Sequence, residues 1–476
     1  MSPTADLRVA DGRATAAAPH DLPPPRAERV KRYYFREMAS YLRFLVPPGE
    51  SVLEISCRDG TLLAQLAPSR GVGLDASPEF IATARARHPH LTFVVGAIGS
   101  LPVEGTFDVI VLTHVVDFLD DVQGAIESLR RLCHPGTRLI LITHNYLWAP
   151  VLVLLERLGL KRTKGAYAWL SLNDLQNILS FAKFDVVRRE YRTVLPVWIP
   201  VVSWVANRML GKLPVIWKLG MTQWVVAFPL GLGRDAEPPS VSVIIPCRNE
   251  RGTIETIVER TPEMGRRTEL VFVEGHSTDG TLDALREVQQ RRRDRDIKVL
   301  AQDGEGKGDA VRKGIEASSG EIIVILDADL SVAPQALPRF VEALAGGYCE
   351  LALGSRLVYP MPAHAMRPLN MLANMLFGRA ISFMIGQQVK DTLCGTKAFW
   401  RRDCDRMALQ RAFFGVDDPF GDFDLILGAA KLSLKIREIP VQYHERVYGT
   451  TNIRRWRHGL MLSVMLAKAL IKLKLQ

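Results

Sequence analysis

The 476 residues contain no N-terminal apolar run of the kind that opens a secretory leader, no uninterrupted apolar stretch of about 18 residues, and no Cys-x-x-Cys or His/Cys cluster. These absences argue in turn against export, against a membrane-spanning helix, and against a zinc ribbon or disulfide framework. Cys57, Cys133, Cys247, Cys349, Cys394 and Cys404 are scattered, as the reduced thiols of a cytosolic protein are. The longest apolar candidates, Val194–Ala206 and Leu460–Ala467, are cut short by Arg208 and Lys468 and read as interfacial or buried. What is present is a globular balance, 47% hydrophobic against 24% charged, in a chain too long for one ordinary core. A net charge of +10 points to anionic partners: nucleic acid, nucleotides or an acidic membrane surface.

Residues 1–28, rich in Ala, Pro and charge, read as a disordered tail. A first unit follows at 29–232, opened by a helical pattern over Val30–Leu45. Apolar runs at Ser51–Ile55, Val72–Asp75, Leu91–Val95, Phe107–Leu112 and Leu139–Thr143 alternate with helical patterns at Leu62–Leu66, Pro78–His88 and Val122–Cys133. That alternation predicts βαβ units and a doubly wound parallel sheet. The turn after the first run is Glu54-Ile-Ser-Cys-Arg-Asp-Gly60, and the second run ends in Asp75 about 20 residues on. In this arrangement a tight loop approaches an adenosine cofactor and a carboxylate holds the ribose hydroxyls. His114, Asp117, His144 and Asn145 fall at strand ends, where a site could use them, although a lone His there is more often structural.

The segments Val52–Gly60, Gly73–Pro78, Phe107–Leu112 and His134–Leu139 resemble class I S-adenosylmethionine-dependent methyltransferases across 51–145. The resemblance implies a Rossmann-like fold with S-adenosylmethionine held by Glu54, Ser56, Arg58, Gly60 and Asp75. The family usually has three glycines at alternate positions of this loop, and here Ser56 and Arg58 stand at the first two. A side chain at a close-approach glycine either contacts the cofactor or blocks it, so Arg58 would pair with the methionine carboxylate or fill the pocket. Methyl transfer, cofactor binding alone and a scaffold all remain open. Residues 146–230 are aromatic and basic, with Trp148, Trp169, Trp198, Trp204, Trp217 and Trp224. That composition suits either a membrane-touching surface or a helical cap, and Gln223–Phe228 reads as a closing strand.

A linker at 233–240 leads to a second unit, 241–455. Strands of the parallel-sheet type are expected at Val241–Pro246, Leu270–Val273, Lys298–Ala301 and Glu321–Leu326, with helices at Thr253–Arg260, Leu282–Arg293 and Asp309–Ser318 and a last strand at Ile439–Tyr443. Every strand of the first four ends in polar or flexible residues: Pro246–Glu250, Glu274–Gly280, Asp303–Gly308, then Asp327 and Asp329. Asp327 and Asp329 alone could be a turn and a helix cap. Four such ends around one crevice favour a hard divalent cation between the two carboxylates.

Six segments then occur in order: Val243–Glu250, Val273–Thr281, Gly306–Gly314, Ile325–Leu330, Gly354–Arg356 and Asp391–Phe399. They resemble family 2 glycosyltransferases of the GT-A fold, above all dolichyl- or polyprenyl-phosphate sugar synthases. The resemblance implies that Pro246, Asn249 and Glu250 line the base and ribose pocket, that Glu274 replaces a common Asp, and that Asp279 belongs to the same nucleotide-sugar site. Lys307 would meet phosphate or the base edge, Asp327 and Asp329 would hold Mg²⁺ or Mn²⁺ against the nucleotide diphosphate, and Ala328 between them would border the nucleotide sugar. Ser331 stands where many relatives have Gln, two residues past the second Asp. Arg356, Cys394, Gly395 and Lys397 would border the sugar or acceptor. Of the cluster Asp417, Asp418, Asp422 and Asp424, Asp424 aligns best with the family's general base and Asp422 second. A phosphate acceptor is already ionised near neutral pH, so Asp424 would then only orient it. Arg446 and Arg454 are candidate phosphate clamps, with exposed surface arginine as the alternative.

Seven Lys/Arg and no acidic residue lie between Arg446 and Gln476, and 456–476 reads as a basic amphipathic helix, either lying on an anionic membrane or docked on the domain. The whole reads as two doubly wound α/β domains. The expected function is inverting, metal-dependent sugar transfer from a nucleotide-diphosphate sugar to polyprenyl phosphate at the cytoplasmic membrane face, with no nucleic-acid partner and with an S-adenosylmethionine-binding domain attached. The rival is a methyltransferase carrying a sugar-nucleotide-binding module.

Overall fold

A computed structural model describes residues 25–157, 170–213, 215–232, 237–359, 368–409, 422–444, 448 and 455–474. The first helix, Pro25–Leu45, begins inside the stretch expected to be a disordered tail. Proline is well suited to a helix's first turn, where its missing N–H would be unsatisfied anyway. Seven strands follow: β1 Ser51–Ile55, β2 Arg70–Asp75, β3 Thr92–Val95, β4 Phe107–Thr113, β5 Cys133–His144, β6 Phe184–Arg192 and β7 Thr222–Pro229. They form one sheet in the order β3-β2-β1-β4-β5-β7-β6. The first five run parallel, and β7 inserts antiparallel between β5 and β6. Apolar runs such as Val109–Leu112 are buried on both faces, which is why the sequence shows them as unbroken rather than alternating.

The second sheet is built from β8 Val241–Cys247, β9 Thr268–Glu274, β10 Asp296–Ala301, β11 Ile322–Ile325, β12 Leu351–Ser355, β13 Lys397–Trp400 and β14 Ile436–Pro440. Its order is β10-β9-β8-β11-β13-β12-β14. Strands β8 to β11 match the four expected parallel strands, and β11 lies between β8 and the antiparallel β13. The last strand lies three residues before the expected Ile439–Tyr443. Pro440 ends it, having no N–H to donate, and Tyr443 instead makes an isolated bridge to Val332. The helix Pro368–Ile385 and strands β12 and β13 were not anticipated from the pattern.

The two units share a continuous apolar core. Arg138 on β5 pairs with Glu350 and donates from Nε to the Ser433 carbonyl at 3.1 Å, and Lys435 meets Asp185. Arg406 reaches Glu50 at 2.7 Å. The C-terminal helix Arg455–Lys474 docks rather than lying free: Met465, Ala469 and Leu473 are buried, and Lys474 pairs with Glu190 of the first unit at 3.1 Å. Among the described residues no helix is long and apolar enough to cross a membrane.

Candidate functional site

In the second sheet the chain reverses its winding between β8 and β11, the position at which open α/β sheets bind their ligands. Loop geometry is held by its own polar side chains. Asn249 adopts φ +56° and its Oδ1 accepts from the Thr278 amide at 2.9 Å, tying the loop after β8 to the loop after β9. Glu274, buried at the end of β9, accepts from the Ser277 amide. Asp279 accepts from the amides of Arg251 and Thr281, so its carboxylate organises the loop from within. Glu250 is buried, with its amide donating to Thr281 Oγ1 at 3.0 Å. Pro246 lies on β8 beside Val273.

The end of β11 carries the charge. Asp327 Oδ1 is 2.5 Å from the Lys307 ammonium, at the start of the helix Lys307–Ala317. Burial pushes the Asp327 carboxyl up, and Lys307, then Lys397 and Arg356, outweigh it and hold it below the usual aspartate value. Ala328 is buried, and Asp329 accepts from the Ser331 amide at 3.0 Å. Ser331 is itself buried, its carbonyl accepting from the His444 amide at 2.9 Å. Gly395 backs directly onto this pair: a Cβ there would collide with the Asp327 carboxylate and the Lys307 ammonium. The donor set is two hard carboxylates with an ammonium already serving as counter-cation, which fits a divalent ion of the Mg²⁺ or Mn²⁺ type.

Arg356 is held rigidly. Asp391 takes a bidentate pair from it at 2.7 and 2.8 Å, Asn374 donates to the same carboxylate, and the guanidinium lies 5.0 Å from the Tyr443 ring centre. Asp391 belongs to the segment Asp391–Phe399, where its sequence signal is an aspartate three positions before Cys394-Gly395, and the structure shows it buried. Gln302 carries no motif in the sequence but has a structural part here. Its amide donates to the Gly306 carbonyl and to Asp309, shaping the Lys307 loop. Lys397 is buried and donates to the Cys394 carbonyl. Asp424 lies in the first turn of the helix Asp422–Lys431, half-buried. The side chain of Asp422 and all of Asp417, Asp418, Arg446 and Arg454 lie outside the described residues.

The first domain keeps the shape of a three-glycine loop with only one of its glycines, Gly60. Ser56, Arg58 and Gly60 adopt φ of +65°, +52° and +73°. Only glycine takes such values freely, and each non-glycine residue there costs about 1–2 kcal/mol. Asp75 caps the loop, accepting from the amides of Arg58 and Ser77 at 2.9 Å each. The Arg58 guanidinium is exposed and stacks over Phe35 and Phe80 at 5.8 and 5.3 Å, so it borders the cleft rather than plugging it. Glu54 is buried; burial pushes its carboxyl well above the usual range, and its Oε2 meets no hydrogen-bond partner. An orphaned acceptor beside a positive-φ loop and an acidic strand end fits an adenosine cofactor bearing an ammonium group.

A model for glycosyl transferase family 2 matches residues 242–407, and one for a methyltransferase domain matches residues 30–189. The chain is 31% identical over 224 residues to glycosyltransferase AglJ of Haloferax volcanii, covering 47% of this chain and 69% of that protein. A dolichyl-phosphate hexose transferase of the same organism is 26% identical over 50% of this chain and 96% of its own length. Glucosyl-3-phosphoglycerate synthase from Mycobacterium tuberculosis, solved with Mn²⁺ and UDP, aligns with a TM-score of 0.36 at 20% identity, covering 49% of this chain and 80% of that one. Across the first curated relatives the match spans from a third to about two thirds of their length. The chain belongs to glycosyl transferase family 2 and carries a methyltransferase domain ahead of it.

Proposed function

We propose that residues 241–455 transfer a sugar, with inversion, from a nucleotide-diphosphate donor to a polyprenyl phosphate at the cytoplasmic membrane face. The observation that carries this reading is the pairing of Asp327 with Lys307 at the end of β11, two residues from Asp329, where the winding reverses between β8 and β11. A divalent ion bound there would supply Lewis-acid stabilisation of the departing nucleoside diphosphate. Asp327 and Asp329 would hold that ion, and Lys307, Lys397 and Arg356 offset the remaining negative charge. The Asn249–Thr278 tie would keep the base and ribose wall in place. Asp424 would orient an acceptor phosphate that needs no deprotonation, and Arg446 and Arg454 would grip phosphate oxygens. Relatives named as dolichyl-phosphate hexose transferase and undecaprenyl-phosphate 4-deoxy-4-formamido-L-arabinose transferase support the acceptor class.

A membrane face is supported by large apolar side chains left in solvent on the first domain: Trp198, Ile199, Val201, Val202 and Trp204 are 45–74% exposed. Incubating the full chain with nucleotide sugars, polyprenyl phosphate and Mg²⁺ or Mn²⁺ tests the reading. Release of UDP or GDP and a lipid-linked sugar of inverted anomeric configuration are expected, both lost with chelator. No turnover with any donor would sink it.

A second reading concerns residues 29–232, where the preserved positive-φ loop and the orphaned Glu54 Oε2 support S-adenosylmethionine binding and methylation of an intermediate of the same glycan or lipid pathway. Calorimetry of the full chain with S-adenosylmethionine checks it; absent binding leaves this domain as a scaffold.

A further inference from the structure

The carboxyl ends of β4 and β5 lie side by side, next to the β1 loop, on the ligand-binding edge of the first sheet. His114 follows β4, His144 ends β5, and Asp117 sits in the turn between, 3% exposed. One carboxylate oxygen, Asp117 Oδ2, is addressed by both imidazoles: His144 Nδ1 is 2.7 Å away and His114 Nδ1 3.7 Å. The two rings stack with centres 4.1 Å apart at 28°. His114 holds φ +54°, a strained value for a non-glycine residue, to aim its ring there. On the far side of that ring, Nε2 lies 2.6 Å from the Tyr34 hydroxyl, which fixes the ring's orientation from the first helix.

We propose that His114 Nδ1, Asp117 Oδ2 and His144 Nδ1 form a binding site for one divalent transition-metal ion of the zinc class at the acceptor mouth of the methyltransferase domain. One ligand atom from each residue lies within 4.8 Å of the others. Zinc–nitrogen and zinc–oxygen bonds of about 2.1 Å place tetrahedral ligands about 3.4 Å apart, and the observed separations of 2.7 and 3.7 Å straddle that value. One divalent ion would neutralise the buried carboxylate and use both ring nitrogens as neutral donors. Two nitrogens and one carboxylate select zinc, cobalt, nickel or iron(II) over magnesium or calcium. Tyr34 accepting from His114 Nε2–H would be the outer hydrogen bond that metal-bound histidines commonly make. Three protein ligands leave a position for water or an acceptor oxygen, as catalytic rather than structural zinc sites do. The site is chemically distinct from the all-oxygen pair Asp327 and Asp329, and it needs neither sugar transfer nor S-adenosylmethionine binding to exist.

The full chain, stripped with chelator, is titrated with Zn²⁺ by calorimetry and with Co²⁺ by visible absorption. One tightly held equivalent and the strong bands of low-coordinate Co²⁺ are expected, unchanged in the double variant Asp327→Asn, Asp329→Asn. His144→Ala and Asp117→Asn should weaken binding at least a hundredfold, and Tyr34→Phe about tenfold. His114→Cys keeps a ligand and should add a sulfur-to-cobalt charge-transfer band, which guards against a variant that merely misfolds. Absence of the Co²⁺ bands in the unaltered chain, or full-strength binding by His144→Ala, overturns the site and leaves a hydrogen-bonded His–Asp–His cluster.

Discussion

The two domains use one plan, with parallel strands, a reversal of winding and acidic residues at strand ends, yet they surround those acids differently. In the first domain Asp75 is satisfied by backbone amides and Glu54 is buried without a cation. In the second, Asp327 faces Lys307 and lies within the influence of Lys397 and Arg356. The first cleft therefore suits a ligand of small net charge that brings its own ammonium. In the second, Asp327, Asp329 and Asp391 already offset Lys307, Lys397 and Arg356, so a divalent ion there would need the charge of a diphosphate to balance it. The same edge of the same fold is thus given different chemistry by side chains arriving from outside the strands.

The largest expected effect breaks one side and spares the other. Asp329→Ala should lower sugar transfer more than about a thousandfold, roughly 4 kcal/mol of barrier, while S-adenosylmethionine binding measured by calorimetry stays intact. A parallel loss in both would mean the sites are not independent. Next, Glu350→Gln leaves Arg138 buried without its counter-charge at the domain junction. It should destabilise the chain by about 3 kcal/mol and split one denaturant transition into two; a single unshifted transition would show that the apolar core alone couples the domains.

Acid should separate the domains in the opposite sense. Glu269 on β9 is pushed up by burial but held down to about 2 by Ser242, the Ser319 amide and Lys298. Its folded pKa is depressed, so its contribution of about 3 kcal/mol is present above pH ~4.5 and lost as pH falls through about 2. Glu54 is shifted the other way, so its contribution is present below the ordinary glutamate range and fades as pH rises. Acid titration followed by domain-specific tryptophan and hydrogen-exchange signals should find the second domain yielding first. The smallest effect sharpens the role of Arg58. Arg58→Gly relieves a positive φ and should stabilise the first domain by up to about 1 kcal/mol. If the guanidinium meets the cofactor's carboxylate, affinity falls at the same time; unchanged affinity would make Arg58 only a border residue.

The sequence by itself determined the parallel halves of both sheets, because strands buried on both faces must be unbroken apolar runs and their ends must carry what the ligand needs. It also placed Asp327, Asp329 and Lys307 on one edge, since strand order follows from short right-handed crossovers. Tertiary structure alone decided the rest. The antiparallel strands β7 and β13 insert between neighbours far away in sequence, and nothing local dictates such a choice. Arg356 acquired its rigidity from Asp391, 35 positions on. In sequence His114, Asp117 and His144 are strand-end residues that a site could use, with no sign that they belong together; the pairing of β4 with β5 stacks the two rings beside one carboxylate. Convergence of side chains from separate elements is a property of packing, and the spacing along the chain does not encode it.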